Sequence, residues 1–369
     1  MISTELLQAL LQATAAEQVE SAIEALRASQ PDIGTMPFGR RENNRGIIEV
    51  STDPGRSLIE RVTNGIDAVL EQGHDEHGGI PAARTPKEAA AAWLGVPNLG
   101  LSEMTANERR TLARHVQITL LEGEGKAART VEIRDAGIGL SPAMMPDTIL
   151  SLNESNKIQK HYLAGTYGQG GSSTLAVSKF TVIASRAPGS AVGFTVAFFQ
   201  DLPPEQYKTG RYVYLALSGT VLEADVPDSE FPVGTVVRHI GYDLSNYGSP
   251  LGPNSVYGLL NQVLFDPILP VWLDNHIHHY RRVIKGSRNA LNGATDEGDD
   301  SRGPSLTHRM PLFYVNLGDF GRIGIEYWVL SRPAPEATTT PIAAFVNPKR
   351  PIVLTINGQT HAELPQSLV

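Results

Sequence analysis

The chain of 369 residues contains no cysteine. A disulfide framework, a thiol nucleophile and a thiolate metal site are therefore all excluded. The chain also lacks an apolar run long enough to span a bilayer, and its N-terminus lacks a basic region followed by an apolar core. We therefore expect a cytoplasmic protein that does not insert into membranes.

Positive charge is in short supply as well. Lysine and arginine total 31 against 39 aspartate and glutamate, which gives a formal net charge of −8. This balance argues against a surface dominated by nucleic-acid binding, although it leaves room for a local basic patch. The ten histidines form no HExxH pattern, and the HIHH run at 276–279 favours a strand or loop with solvated imidazoles over a zinc site.

The order of segments predicts two globular units, which the length also suggests. Residues 4–28 are rich in helix formers and would either act as a dimer arm or pack on their own domain. A strand is expected at Ile47–Ser51, and a helix around Met144–Ser151. The expected units are a helical N-terminal extension at 1–30, a first domain at 31–285 with a partly helical insertion at 74–114, a flexible linker or loop at 286–305, and a second domain at 306–369 that continues beyond this chain.

The most informative segment is ERVTNGIDA at 60–68, within a helix predicted from Ser57 to about Gln72 and ended by Gly73. Helical geometry points Glu60, Asn64 and Asp67 into one sector, opposite an apolar face. A carboxylate and a carboxamide one turn apart can hold a water and a hard cation, as metal-assisted attack on phosphate requires. Two plainer interpretations remain open: a merely solvated polar face, and a capping box between Ser57 and Glu60.

Three glycine-containing motifs follow. In DAGIG at 135–139, glycines let the backbone approach a ligand and Asp135 could accept a hydrogen bond from an amine such as that of adenine, although a tight turn explains the motif equally well. In GTYGQGGS at 165–172, backbone amides at a helix start could bind phosphate. That segment matches neither a Walker A, a Rossmann nor a protein-kinase loop. The third motif, Gly234-Thr235, begins a strand.

These four motifs, in this order and spacing, resemble the GHKL superfamily of gyrase subunits, heat-shock chaperones, histidine kinases and MutL proteins, and especially its MORC-like and heat-shock-chaperone-like members. The resemblance implies an α/β fold of the Bergerat type. That fold is a two-layer α/β sandwich, a mixed sheet with helices on one face, here followed by a smaller and incomplete transducer-like α/β unit. It also implies an Mg²⁺-dependent ATPase, with ATP and Mg²⁺ as cofactors.

Residue by residue, the resemblance implies Glu60 as the general base, Asn64 as the Mg²⁺ ligand, and Asp67 as a residue that supports the base through water. It implies Asp135 as the acid that binds adenine. Residues 152–171 would form an ATP lid able to close on bound nucleotide. The implied ATP-binding residues are Asn64, Asp67, Asp135, Gly137, Gly139, Lys157, Gly165, Gly168, Gly170, Gly171, Ser172, Thr235 and Lys349.

Two basic positions carry alternatives. Lys157 lies in a segment similar to a MORC lid and would contact phosphate, unless it is simply a solvated lysine. Lys349, or else Arg350, would reach the γ-phosphate from the second unit. The insertion at 74–114 is longer than in a minimal member of the superfamily and could be a partner surface.

A histidine kinase is one rival, but its nucleotide domain usually lacks a carboxylate four residues before the asparagine. A catalytically weak nucleotide-binding module is another, and would need no base at Glu60. We expect a conformational switch, an ATP-gated homodimer that drives a downstream effector or a DNA or protein clamp; a chaperone-like ATPase without a DNA role is the alternative. A part in bacterial defence or DNA maintenance follows only by analogy.

Overall fold

A computed structural model describes residues 4–49, 53–152, 159–165, 170–205, 209–296, 306–330, 346–347, 349–365 and 367. The α-helices are α1 (Thr4–Gln12), α2 (Ala16–Ser29), α3 (Arg45–Ile48), α4 (Pro54–Glu76), α5 (Pro86–Leu94), α6 (Ala106–Ala113), α7 (Val256–Val263) and α8 (Ser287–Leu291). The strands are β1 (Ile33–Pro37), β2 (Val116–Gly125), β3 (Ala128–Asp135), β4 (Phe180–Arg186), β5 (Val192–Gln200), β6 (Arg211–Leu217), β7 (Leu222–Ala224), β8 (Gly234–Tyr242), β9 (Val271–Asn275), β10 (Tyr280–Ile284), β11 (Leu306–Asn316), β12 (Arg322–Leu330), β13 (Ile352–Ile356) and β14 (Gln359–Leu364).

The first ten strands form one sheet in the order β1-β6-β5-β4-β8-β3-β2-β9-β10, with β7 beside β5. β2 and β9 run parallel, whereas β3 pairs antiparallel with both β2 and β8, so the sheet is mixed. The remaining strands form two separate hairpins, β11–β12 and β13–β14. The expected mixed α/β fold with a smaller additional unit is confirmed. Among the described residues, no helix combines the length and apolar character needed to cross a membrane.

Helices of the first domain cover one face of this sheet. Val62 and Ile66 of α4 pack with Ile133 of β3 in a core that α5 and α7 complete. Ile133 lies directly opposite Val237 of β8, and paired residues share a face. The short 3-10 helices Pro142–Asp147 and Gly170–Val177 pack on the same face. The layer that carries α4 is therefore built as the resemblance implied.

The N-terminal extension consists of two helices that lie on the opposite face. Leu7 and Leu10 of α1 and Val19 of α2 pack against side chains of β4, β5 and β8. The Arg238 guanidinium of β8 also donates from Nε to the Ala13 carbonyl at 2.8 Å, between the two helices. Of the two arrangements proposed for residues 4–28, the structure shows packing on their own domain.

The central helix α4 is longer than predicted at both ends. It begins at Pro54 because the Asp53 carboxylate accepts from the N–H groups of Gly55 and Arg56, at 2.8 and 3.2 Å. The predicted capping box is therefore wrong: Ser57 is buried inside the helix, where its Oγ accepts from Ser173 at 2.9 Å.

The expected helix end at Gly73 is also wrong. Gly73 stays helical, and α4 continues to Glu76. A Cβ at Gly73 would lie 3.2 Å from the Cβ of Trp93. The glycine therefore serves close packing between α4 and α5, and does not stop the helix.

Two other local predictions need correction. The strand expected at Ile47–Ser51 is replaced by α3, since the Asn44 carbonyl accepts from the N–H groups of Ile47 and Ile48 at 3.1 Å; residues 50–52 lie outside the described part. The helix expected around Met144–Ser151 is the 3-10 helix Pro142–Asp147, whose Pro146 has no N–H to extend an α-helix.

The predicted flexible linker was wrong for residues 286–296, which pack on the first domain. They include α8, and the buried Asn289 amide donates to Asp266 at 3.1 Å. Lys285, at the end of β10, pairs with Asp296 at 2.8 Å. Residues 297–305 lie outside the described part. The helical pieces expected in the 74–114 insertion are confirmed as α5 and α6, and α5 joins the core beside α4.

Candidate functional site

The DAGIG segment follows β3 and lies directly against α4. The Ile138 N–H donates to the Ala68 carbonyl at 3.1 Å. A Cβ on Gly137 would come within 2.5 Å of the Ala68 Cβ, so only glycine fits this approach. The DAGIG motif is thereby held against Ala68 of α4, the residue that follows Asp67.

Asp135 ends β3 and lies directly opposite Thr235 of β8 in the sheet. Its Oδ1 accepts from the Gly137 N–H at 3.0 Å, and the Thr235 backbone N–H also donates to its carboxyl group. Burial raises the pKa of Asp135 to about 7, although these two N–H donors and Arg134 act in the opposite direction. The carboxyl group can therefore exist in either protonation state near neutral pH.

The Gly234-Thr235 motif places one hydroxyl group, that of Thr235, beside Asp135. The Oγ1 of Thr235 lies 2.8 Å from the Oγ of Ser185, which also accepts from the Leu140 N–H at 2.8 Å. Gly139 has φ +64°, and a Cβ there would lie 1.8 Å from the Arg186 carbonyl oxygen, so glycine is required. Sequence reasoning missed Ser185; its signal is a polar residue within the apolar strand FTVIASR.

Asp67 anchors the chain just before the glycine-rich turn. Its carboxylate accepts from the Ala164 N–H at 2.7 Å and from the Gly165 N–H at 3.1 Å. The side chain is buried, with 1% of its surface exposed. Asp67 thus connects α4 to the end of the expected lid, and the water-mediated support of a base stays a prediction.

The end of the glycine-rich turn lies against the same helix one turn earlier. A Cβ on Gly171 would lie 2.7 Å from Nδ2 of Asn64. Gly170 begins the 3-10 helix Gly170–Val177, in which Ser172 is buried. Asn64 is half-buried, whereas Glu60 is exposed and open to solvent water. Lys157 and Gly168 fall in 153–158 and 166–169, outside the described residues.

Within the second unit, the structure brings a different residue to α4 from the one expected. Lys349 and Arg350 are exposed in the turn before β13, and a contact of either with phosphate stays a prediction. The Gln359 amide instead donates to the Thr63 hydroxyl at 2.9 Å, one residue before Asn64. Its signal was the Asn-Gly pair at 357–358, which marks the tip of a hairpin.

A divalent cation at this site would have few protein ligands. Within the described ranges, no three His, Cys, Asp or Glu side chains cluster as a metal site. The amide oxygen of Asn64 is a suitable hard ligand, and Mg²⁺ typically takes one or two protein oxygens, with phosphate oxygens and water completing its shell. The residues present therefore fit Mg²⁺ bound together with a nucleotide.

Taken together, the motif residues form two groups along α4. Asp135, Gly137, Gly139 and Thr235 lie beside its Asp67–Ala68 turn, while Gly171 lies beside Asn64. Comparisons with protein-family models and with curated proteins found no match to the chain. The functional interpretation therefore rests on this arrangement of residues.

Proposed function

We propose that the protein binds and hydrolyses ATP with Mg²⁺ and uses this cycle as a conformational switch. The observation that supports the proposal is the convergence of three sequence-distant motifs, DAGIG, the end of GTYGQGGS and Gly234-Thr235, beside α4. Glycine is needed at three of their positions: at Gly137 and Gly139 the neighbouring backbone leaves no room for a side chain, and at Gly171 the Asn64 and Arg61 side chains crowd the position. This close packing fixes the motif segments beside α4, as a preorganised ligand site requires.

At the end of the site that would hold adenine, the Asp135 carboxyl group and the Thr235 hydroxyl suit the amine and ring-nitrogen edge of that ring. A carboxyl group with a pKa of about 7 can accept from the amine in either form, and can donate to a ring nitrogen when protonated. At the phosphate end, the turn up to Gly171 would supply amide donors next to Asn64.

Hydrolysis is assigned to Glu60 because it is exposed one helical turn before Asn64. Its carboxylate would take a proton from the attacking water as that water bonds to the γ-phosphorus and the bond to ADP breaks. Asn64 would hold Mg²⁺, which when bound would neutralise charge on the phosphate oxygens. Closure of residues 152–171 over the nucleotide would couple binding to a nucleotide-gated homodimer and a downstream effector.

The test is phosphate release from Mg²⁺·ATP by the wild type, Glu60→Ala and Asn64→Ala, with binding measured separately. We expect Glu60→Ala to lose turnover by about 100- to 10,000-fold while still binding ATP, because only the base is removed. Asn64→Ala should lose Mg²⁺-dependent binding. Glu76→Ala, an exposed change on the same helix, is the matched control. Wild-type binding without turnover would support a nucleotide-binding module, and no binding would refute the proposal.

A further inference from the structure

Arg61 is a buried cation directly after the proposed base. Only 4% of its surface is exposed, and burial lowers its pKa to about 10, so it remains protonated at neutral pH. No described carboxylate offsets this burial, and among the described residues its Nε has no hydrogen-bond partner. Burying a charged group without an ion pair lowers the free energy of unfolding. A neutral side chain at this position would not carry that cost.

The guanidinium instead contacts the segment that follows the glycine-rich turn. Its Nη2 donates to the Gly171 carbonyl and lies 3.3 Å from the Thr174 hydroxyl. Thr174 is fully buried, and its hydroxyl also donates to the Gly171 carbonyl at 2.9 Å. These three groups tie α4 to the first turn of the 3-10 helix Gly170–Val177.

The same guanidinium is packed next to the proposed Mg²⁺ ligand. A Cβ on Gly171 would lie 2.7 Å from Asn64 Nδ2 and 3.2 Å from Arg61 Nη1, so both side chains occupy the space that a residue other than glycine would need. A shift of the guanidinium would therefore move Gly171 and Asn64 relative to each other. Arg61 also lies near the buried His239 and Tyr242, and its charge lowers the pKa of His239.

We propose that Arg61 is a positioning residue that fixes Gly171, at the end of the glycine-rich motif, against Asn64, and so sets the geometry of the phosphate end of the site. This inference rests on the proposed ATP-binding function. Its planar guanidinium places Nη2 beside both the Gly171 carbonyl and the Thr174 hydroxyl, a placement that the compact ammonium group of lysine on its flexible stem does not reproduce. Its charge, close to the phosphate end, also favours an anionic ligand over a neutral one.

The experiment compares binding of Mg²⁺·ATP and of adenosine, which lacks the phosphates, by calorimetry. In Arg61→Lys and Arg61→Met we expect affinity for ATP to fall about tenfold or more, as loss of a charged hydrogen bond implies, with affinity for adenosine nearly unchanged. The half-saturating Mg²⁺ concentration for turnover should rise as well. Arg56→Met, an exposed change five positions earlier on α4, is the control and should bind both ligands like the wild type.

Thr174→Val keeps the shape of the side chain but removes the hydroxyl, and it serves if the arginine variants do not fold. It should weaken ATP binding selectively, and its effect should not add to that of Arg61→Lys, because both act on one contact. Unchanged ATP affinity in the variants that fold, or equal loss for ATP and adenosine, would overturn the positioning role alone. A wild type that binds neither ligand would instead overturn the proposed function, and this inference with it.

Discussion

Asp67 belongs to α4 and Asp135 lies beside the Asp67–Ala68 turn of that helix, and the two use their carboxyl groups differently. Asp67 accepts two backbone N–H donors from the chain before the glycine-rich turn, so its oxygens are used to hold that chain. Asp135 accepts from Gly137 and Thr235, yet burial still raises its pKa to about 7. A carboxyl group whose pKa is raised toward 7 marks a candidate functional site, which supports the proposal that Asp135, and not Asp67, would meet the adenine base.

The raised pKa of Asp135 predicts a specific dependence of stability on pH. An ordinary aspartate has a pKa of 3.8, so between about pH 4 and pH 7 folded Asp135 holds a proton that the unfolded chain has released. Its contribution to the free energy of unfolding must therefore fall as pH rises through this range. We expect Asp135→Asn to remove this contribution, so that the variant gains stability relative to the wild type toward pH 7.

Urea unfolding of both proteins across this pH range measures the difference. The effect has to be measured as the difference between Asp135→Asn and the wild type. Burial and Arg61 hold the pKa of His239 well below 6.5, so His239 makes the stability of both proteins rise with pH and would hide the effect of Asp135 in the wild type alone. Asp32→Asn, a change at an exposed aspartate, should follow the wild type. A constant stability difference between Asp135→Asn and the wild type would show that the pKa of Asp135 is not raised.

At the level of elements, apolar periodicity predicted α4, because burial of one helix face leaves a regular pattern in the sequence. The two ends of α4 were harder to predict from the sequence. Its start depends on the cap formed by Asp53, and Gly73 stays helical because it packs on Trp93 of α5. The same limit applies to the site. Motif spacing predicted Glu60, Asn64 and Asp135 as site residues, and these stay predictions. It could not indicate Arg61 and Gln359, which acquire their contacts only when the fold brings Gly171 and Thr63 to them.

The 74–114 insertion is connected to the expected lid through an aromatic cluster. The rings of His74 and Tyr162 stack at 4.9 Å, and Trp93 of α5 meets both edge-on. Tyr162 lies in the described stretch 159–165 of the expected lid. The parts of the lid on either side of it, 153–158 and 166–169, are outside the described residues. A lid that moves when nucleotide binds would displace Tyr162 and expose the Trp93 indole.

Tryptophan fluorescence tests this connection. We expect Mg²⁺·ATP to shift the emission to longer wavelength, since only 6% of the Trp93 surface is exposed in the structure. Trp93→Phe should abolish the shift, whereas Trp328→Phe, in β12, should retain it. A shift that persists in Trp93→Phe would mean that the insertion does not follow the lid.

At the scale of the whole molecule, polar contacts connect the second unit to the first. The Arg288 guanidinium of α8 binds Glu326 of β12 at 2.7 Å, and the Trp328 indole donates to Asn292 at 2.9 Å. Composition suggested a solvated linker here because polar residues usually face water. Their pairing inside the protein depends on partners distant in sequence, which composition does not reveal.

The packing of α1 and α2 limits how two copies could associate. Leu7, Leu10, Val19, Ile23 and Leu26 are all buried against their own sheet. Leaving each side chain exposed to water would cost about 1.5–3 kcal/mol, so release of these helices from the sheet is strongly disfavoured unless an equivalent site receives them. A nucleotide-gated dimer should therefore form while both helices remain in place.

Light scattering with a non-hydrolysable ATP analogue and Mg²⁺ tests this prediction. The mass should rise from 39.8 kDa to twice that value, and Asn64→Ala should remain monomeric because it loses Mg²⁺-dependent binding. Hydrogen exchange should show α1 and α2 equally protected in both states, since their backbone bonds and buried faces do not change. A constant mass in a sample that binds the analogue would exclude the gated dimer, and loss of protection confined to these helices would instead show that they leave their sheet.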